Sequence, residues 1–483
     1  MEKEICSKKM SFEDCELAIL RHAIEIQESN KKIDQITEEV NTIISILKNF
    51  MVEKKVICYG GTAINNILPK EAQFYTENEI PDYDFFSKTP LNDAKLLANL
   101  YYKKGFKEVE AKAGSHTGTF KVFVNFIPIA DITYLEKPLF DSIFSDTIVI
   151  EGIHYAPPNY LRMSMFLELS RPKGQIDRWE KVFNRLKLLN EYFPFSPNES
   201  CFKQKPPLKE IKEKVFVDLF HLLLTYNVVF FGGFAFRLFK DQSQKSEFKT
   251  MKYPLFDVLS DEYEKISVFI VRLFKEKNIE ATTIKNKCVG EIIPEHIDIL
   301  VNGQAIVSIY NPIACYSYNE IVLNQKDLWF KDDSIVNQPI KIATTHTILS
   351  FYLAFLYTSS DKNIPADKYN KDRILCMSEV LYTIQQKRAT QQNGIFKQFS
   401  LDCYGKQKTQ IDLRMERAEK RKELKKGTKE YDWFFLNYRP EKSAFEQEVK
   451  TIKKHRHHRK KYYRKTKKFP FLIKKSKKNQ YLF

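Results

Sequence analysis

No two of the eight cysteines, at positions 6, 15, 58, 201, 288, 315, 376 and 403, stand in C-x-x-C spacing. That argues against a zinc site, and their scatter argues against a disulfide framework and fits a reducing compartment. The opening MEKEICSKKM carries no apolar run of the kind a secretory leader needs, so no signal peptide is read there. Apolar runs long enough to span a bilayer are missing too. Leu219–Phe236 comes nearest, but Asn227 and Gly232-Gly233 interrupt it, and a helix followed by a buried strand explains it better. A soluble, intracellular protein with no membrane contact is expected. Acidic residues are absent after Glu448, where fifteen Lys and Arg side chains hold most of the net charge of +17. A block of like charge reads as a flexible interaction tail. Tyr462, Tyr463 and Phe469 lie among those lysines, so the tail could stack on unpaired bases while contacting phosphates.

What is present centres on residues 56–84. Val56-Ile57-Cys58-Tyr59 reads as a short apolar strand that breaks at Gly60-Gly61, with a helix starting by Ala63. Two glycines between a strand and a helix let the backbone approach a ligand, and a helix N-terminus offers N–H groups to a phosphate. A second strand carries Asp82-Tyr83-Asp84. Side chains alternate along a strand, so the two acids share one face and Tyr83 takes the other. Asp131 follows in the apolar segment Val122–Thr133, where an unpaired carboxylate would be costly. Divalent metal shared with Asp82 and Asp84 would partner it. Upstream, Ser11 with Asp14 resembles a capping box, and Ile33, Ile36, Val40, Ile43 and Leu47 recur at heptad-like spacing, predicting helix. Downstream, Asn92–Gly105 reads as a helix and Lys107–Ala111 as a strand. Gly114–Gly118 reads as a loop whose His116 is a loop residue or substrate contact. Lys181 and Arg185 lie one turn apart on a helical face, either solvated or aimed at phosphates.

The chain then repeats itself. Val228–Ala235 restates the apolar strand, the Gly-Gly break and the following Ala, and Asp257 follows Gly232 by the interval that separates Asp84 from Gly60, give or take one residue. Asp372-Arg373 and Leu381 echo Asp177-Arg178 and Leu186. In the second copy Thr62 becomes Phe234, Asp82 becomes Leu255, Asp131 becomes Ser308 and Lys181 becomes Cys376. What both copies keep serves the fold. What only the first keeps points to chemistry.

Gly60-Gly61-Thr62, Asp82-Tyr83-Asp84 and Asp131 resemble the signature of the DNA polymerase β-like nucleotidyltransferases. GGTAIN, IPDYDFFS, PIADITYL and SRPKGQIDRWEKVFNRL are similar, more narrowly, to the poly(A) polymerase catalytic subunits of large cytoplasmic DNA viruses, the giant-virus members above all. The resemblance implies a mixed α/β (α+β) chain with two nucleotidyltransferase domains, the first catalytic and the second degenerate. The expected divisions are an N-terminal helical segment (1–50), the catalytic domain (51–200), the degenerate domain (201–390), a C-terminal linker or helical segment (391–448) and the basic tail (449–483). It further implies polyadenylation of mRNA 3′ ends from ATP. Asp82, Asp84 and Asp131 would be catalytic and hold two Mg²⁺ or Mn²⁺ ions, and Gly60, Gly61, Thr62 and Lys181 would bind the nucleotide. RNA is the implied partner, with a homodimer or a separate processivity subunit beside it, in the host cytoplasm, its viral factory or the virion. The alternatives are a CCA-adding, uridylyl- or oligoadenylate-type enzyme, or a non-catalytic RNA-binding scaffold.

Overall fold

Val40, Ile43, Ile46, Leu47, Phe50 and Met51 form one buried stripe at the spacing of a helix with a single apolar face. That face joins the first core, where Phe50 packs against Phe85 at 6.4 Å and the Ile43 carbonyl accepts from Tyr101 Oη at 2.8 Å. The computed structural model describes residues 10–33, 38–75, 81–197, 211–242, 254–331, 335, 338–358, 370–388 and 390–440. The basic tail, Ile36, Cys6 and Cys201 lie outside the described residues, as do the side chains of Asp14 and Ile33.

In chain order the first half runs α1 (Phe12–Ile33), α2 (Glu38–Lys54), β1 (Ile57–Tyr59), α3 (Gly60–Ile67), β2 (Tyr83–Ser87) and α4 (Pro90–Lys103). It continues with β3 (Val109–Ala113), β4 (Thr119–Val124), β5 (Ile127–Tyr134), α5 (Lys137–Phe144), β6 (Ile148–Ile150), β7 (Ile153–Tyr155), α6 (Pro158–Leu169) and α7 (Trp179–Tyr192). The second half runs α8 (Glu213–Thr225), β8 (Val229–Phe230), α9 (Gly233–Gln242), β9 (Phe256–Leu259), α10 (Tyr263–Glu276), β10 (Thr282–Asn286), β11 (His296–Val301) and β12 (Gln304–Tyr310). Then come β13 (Tyr316–Val322), β14 (Pro339–Ala343), α11 (Thr345–Thr358) and α12 (Lys371–Lys387). The last described elements are β15 (Cys403–Tyr404), α13 (Gln410–Glu423), α14 (Lys429–Phe435) and β16 (Asn437–Tyr438).

The strand orders carry the repeat. One sheet reads β16-β3-β4-β5-β2-β1-β7-β6 and the other β10-β11-β12-β9-β8-β14-β13-β15. Apart from the added edge strands β16 and β15, the seven strands correspond one to one, with the same parallel pairs β2·β5 and β9·β12. The apolar run at Leu219 is the helix α8 followed by the buried β8. Among the described residues no helix is long and apolar enough to cross a membrane.

The two halves meet through α6 and α11. Every residue of α11 from Thr345 to Tyr357 is buried, as a helix apolar on all sides must be. Tyr160 stands edge-on to Tyr357 at 5.4 Å and Phe166 lies over His346 at 5.9 Å. The C-terminal segment is more than a linker. β15 pairs with β13 in the second sheet, and the chain then returns so that β16 pairs with β3 at the edge of the first. Arg417 donates to the carbonyls of Gly114 and Ser115, and Trp433 packs edge-on to Phe120 and Tyr134.

The cysteine reading needs correction. Cys315 and Cys403 form a disulfide across 88 residues, because the β13·β15 pairing brings them side by side. A bond between distant segments leaves no local spacing to read.

Arg162 of α6 is buried at 1% exposure. It donates to Asn190 Oδ1 at 2.5 Å, to Asn159 Oδ1 and to the Phe193 carbonyl, and stacks on Phe195 at 4.2 Å. Burial lowers its pKa to about 10. Arg162→Ala would orphan three acceptors and is expected to destabilise the fold by about 3 kcal/mol, measured by denaturant unfolding.

Candidate active site

Four neighbouring strands place four side chains in one row. Tyr59 of β1 stands opposite Asp84 of β2, Asp84 opposite Asp131 of β5, and Asp131 opposite Lys121 of β4. Residues in register on adjacent strands share a face, so both acids and the lysine project together. Asp82 precedes β2 by one residue. Tyr83 between them is buried at 2% exposure, the alternation the sequence predicts.

The Gly-Gly break sits directly beneath this row. Gly60 has φ +73°, and a Cβ there would lie 2.6 Å from Asp84 Oδ2. Both facts demand glycine, since L-residues rarely adopt that φ. A Cβ on Gly61 would collide with Tyr75 Oη and come within 2.8 Å of Arg185 Nη1. α3 starts at Gly60 itself, three residues earlier than Ala63 suggests, so the first-turn N–H groups belong to this turn. Thr62 is buried, and its hydroxyl donates to the Asp82 carbonyl at 2.5 Å. Its side chain therefore anchors the acidic strand.

Asp131 accepts from Lys121 Nζ at 2.5 Å through Oδ2, while its buried Oδ1 has no partner. Asp84 is pushed up to about 7, first by burial and then by the charges of Asp82 and Asp131, with Lys121 and Arg178 opposing. Asp82 is exposed on its outer side, yet the protein around its carboxyl raises it, with Asp131 adding and Lys121 and Lys181 subtracting. Among the described residues no three His, Cys, Asp or Glu side chains already close into a metal-ready cluster; Lys121 holds one of the oxygens such a cluster would use. The residues nevertheless suit divalent cations. Asp84 and Asp131 stand in register, one buried oxygen of Asp131 lacks a donor, and burial first and neighbouring acids second make Asp82 and Asp84 resist ionising, a conflict that a cation relieves.

The electrostatics make a pH prediction. The folded value of Asp84 lies above its unfolded 3.8, so the folded chain binds more protons between those limits. Without metal, stability is expected to fall as pH rises from about 4 to about 7 and then to level off. Calorimetry in chelator checks this, and Asp84→Asn should flatten the slope.

α7 supplies the basic wall. Arg185 donates to Tyr75 Oη at 2.9 Å and lies over the Phe74 ring at 4.9 Å, which fixes it over Gly61. Lys181, exposed one turn before it, is close enough for its charge to act on Asp82. The nucleotide-binding assignment named Lys181; Arg185 lies nearer the glycine turn. His116 is exposed in the Gly114–Gly118 loop, where its carbonyl accepts from Thr119 N–H. Sequence reasoning passed over Lys121 and Arg178. Counting back from the Asn125-Phe126 turn would set Phe120 opposite Asp131; a bulge between Val122 and Phe123 shifts the register by one residue and brings Lys121 there instead.

The second copy holds a different row. Phe231 N–H donates to the Asp257 carbonyl, Asp257 stands opposite Ser308, and Ser308 opposite Asp298. Ser308 donates to Asp298, which also accepts from Asn286 at 2.9 Å. Tyr-Asp-Asp-Lys has become Phe-Asp-Ser-Asp.

Residues 45–175 match the poly(A) polymerase catalytic subunit family. The matched stretch contains Gly60, Gly61, Asp82, Asp84, Lys121 and Asp131, so the resemblance seen in those motifs is borne out. A protein of Acanthamoeba polyphaga mimivirus named as a poly(A) polymerase catalytic subunit is 32% identical over 201 residues, 39% of this chain and 34% of the relative. One of African swine fever virus, with the same name, is 32% identical over 176 residues, 35% of this chain and 37% of the relative. The chain thus spans about a third of the length of these curated relatives. The crystal structure of the Megavirus polyadenylate synthase superposes with a TM-score of 0.73 at 19% identity, covering 93% of this chain and 92% of that one. The chain shares the fold of that structure, a mixed α/β chain with two eight-stranded sheets.

Proposed function

We propose that this chain is a poly(A) polymerase that adds AMP from ATP to an RNA 3′ end. The observation that carries the reading is the in-register pair Asp84–Asp131, with Asp82 beside it and the Gly60-Gly61 turn beneath. The similarity of residues 45–175 to poly(A) polymerase catalytic subunits supports it.

Asp82, Asp84 and Asp131 would hold Mg²⁺ or Mn²⁺, two ions by resemblance. Bound there, the cations would make an RNA 3′-OH easier to deprotonate and would neutralise triphosphate charge. The first-turn N–H groups at Gly60 and Gly61 would receive phosphate oxygens, with Lys181 and Arg185 facing the same anion. Thr62 would keep Asp82 at the mouth of the turn. The 3′-oxygen then bonds to the α-phosphorus as the α–β bridge breaks and pyrophosphate leaves. Catalysis rests on positioning and charge. The second copy buttresses the first through α6 and α11 and would wall the RNA path. The basic residues after Glu448 would hold the growing strand.

Incubation with an RNA primer and each nucleoside triphosphate in turn tests the donor. Extension with ATP well above the others is expected. Preference for CTP or UTP, or primer-independent products, would point to a CCA-adding, uridylyl- or oligoadenylate-type enzyme instead, and no product at all to a scaffold. Deleting 450–483 is expected to weaken RNA binding and its salt dependence while leaving single AMP addition intact.

A further inference from the structure

Lys121 is the one charged group in the acid row that a metal site does not ask for. Its ammonium lies 2.5 Å from Asp131 Oδ2, on an oxygen a cation would otherwise use. Its side chain is 39% exposed against 15% for Asp131, so the lysine can swing towards solvent while the acid cannot. It also acts beyond Asp131, since its charge offsets those felt by Asp82 and Asp84. Asp131 Oδ1 stays buried without a donor despite this pairing, so the lysine satisfies the acid only by half.

The second copy shows that the fold does not require a lysine at this position. Its counterpart in register is Asp298, facing Ser308. Where the third acid is gone the lysine is gone as well, and an acid has taken its strand position. The equivalent strands β11 and β12 pair there all the same, with Ser308 hydrogen-bonded to Asp298, so strand pairing at this position does not need a lysine. Lys121 therefore belongs with the acids.

We propose that Lys121 is a resident counter-cation of the acid site: its ammonium occupies Asp131 when divalent metal is absent and must leave that carboxylate when metal binds. This rests on the reading that the three acids hold metal. The lysine would keep three converging acids from repelling one another in the empty enzyme. It would also set a threshold of metal concentration below which the site stays closed by its own side chain. It is a positioning residue, since it acts on the reaction through Asp131.

The test is a calorimetric titration of the full chain with Mn²⁺ at pH 8.5, without ATP or RNA. Lys121→Met is expected to bind Mn²⁺ about tenfold more tightly than the native chain, because a competing cation has been removed. Lys121→Arg, which keeps the charge, should stay within about threefold of native. Thermal melts in chelator establish that each variant is folded. Equal or weaker Mn²⁺ binding by folded Lys121→Met would overturn the proposal, as would tightening of the same size in Lys121→Arg. Asp84→Asn in the same titration separates the two ideas. If native binding does not depend on Asp84, the metal reading itself fails. If it does and Lys121→Met changes nothing, only the counter-cation fails.

Discussion

Asp82→Ala combined with Asp84→Ala is expected to lower the rate of AMP addition by at least about 10³-fold, the order seen when a main charge-stabilising element is removed. The fold should survive. Asp82 precedes β2, and Asp84 projects from the half-buried face of the strand, while the core on the other side is made by Tyr83 and Phe85. The metal-free double variant should even gain stability near neutral pH, because Asp84 is held far above its unfolded value by burial and by its acidic neighbours. Loss of activity with gain of stability is the signature of a site rather than of damage. Asp257→Ala in the second copy is the matched control and should leave tailing within about twofold of native, since its row lacks the third acid. Primer-extension rates with melting curves check both. Unchanged tailing in the double variant would remove the acids from the site.

Gly60→Ala is the second large effect. The substitution places a Cβ 2.6 Å from Asp84 Oδ2 and forces an L-residue to φ +73°, which costs about 1–2 kcal/mol in backbone strain. The carboxylate must then move, and displacement by about 1 Å can cost about 10²-fold in rate. Both stability and the catalytic rate are expected to fall. Gly232→Ala drives its Cβ into Asp257 in the same way but in a copy without the acid trio. It should cost stability while sparing the chemistry of whatever protein remains folded. Rates corrected for the folded fraction separate the two.

That contrast sharpens what the glycine pair means. From sequence, Gly60-Gly61 reads as a phosphate turn, and the persistence of Gly232-Gly233 makes it partly architectural. The structure supplies the architectural reason in both copies: the glycine makes room for the aspartate of the neighbouring strand, Asp84 or Asp257. The repeat was legible because strand, Gly-Gly and acid recur at nearly constant spacing, and the matching strand orders follow from it. The same-face placement of Asp82 and Asp84 was legible from the two-residue period. The pairing of Asp131 with Lys121 was not, because it depends on a bulge between Val122 and Phe123 that shifts the β4–β5 register by one residue and that the composition does not announce. Arg185 over Gly61 and the return of β16 to β3 were invisible for a related reason, since both join segments more than a hundred residues apart. Thr62 is read from sequence as a phosphate contact; the structure adds that its buried hydroxyl donates to the Asp82 carbonyl, a contact that no sequence spacing announces.

The most direct measurement pairs two primers of one sequence, one ending in a normal ribose and the other in a 3′-deoxyribose. Each is incubated with the full chain, ATP and Mg²⁺ or Mn²⁺, and pyrophosphate release is counted against nucleotides added. One pyrophosphate per added adenylate is expected on the normal primer, with neither extension nor release on the deoxy primer. Lengthening of the deoxy primer, or pyrophosphate released at equal rates from both, would contradict adenylyl transfer to an RNA 3′-OH.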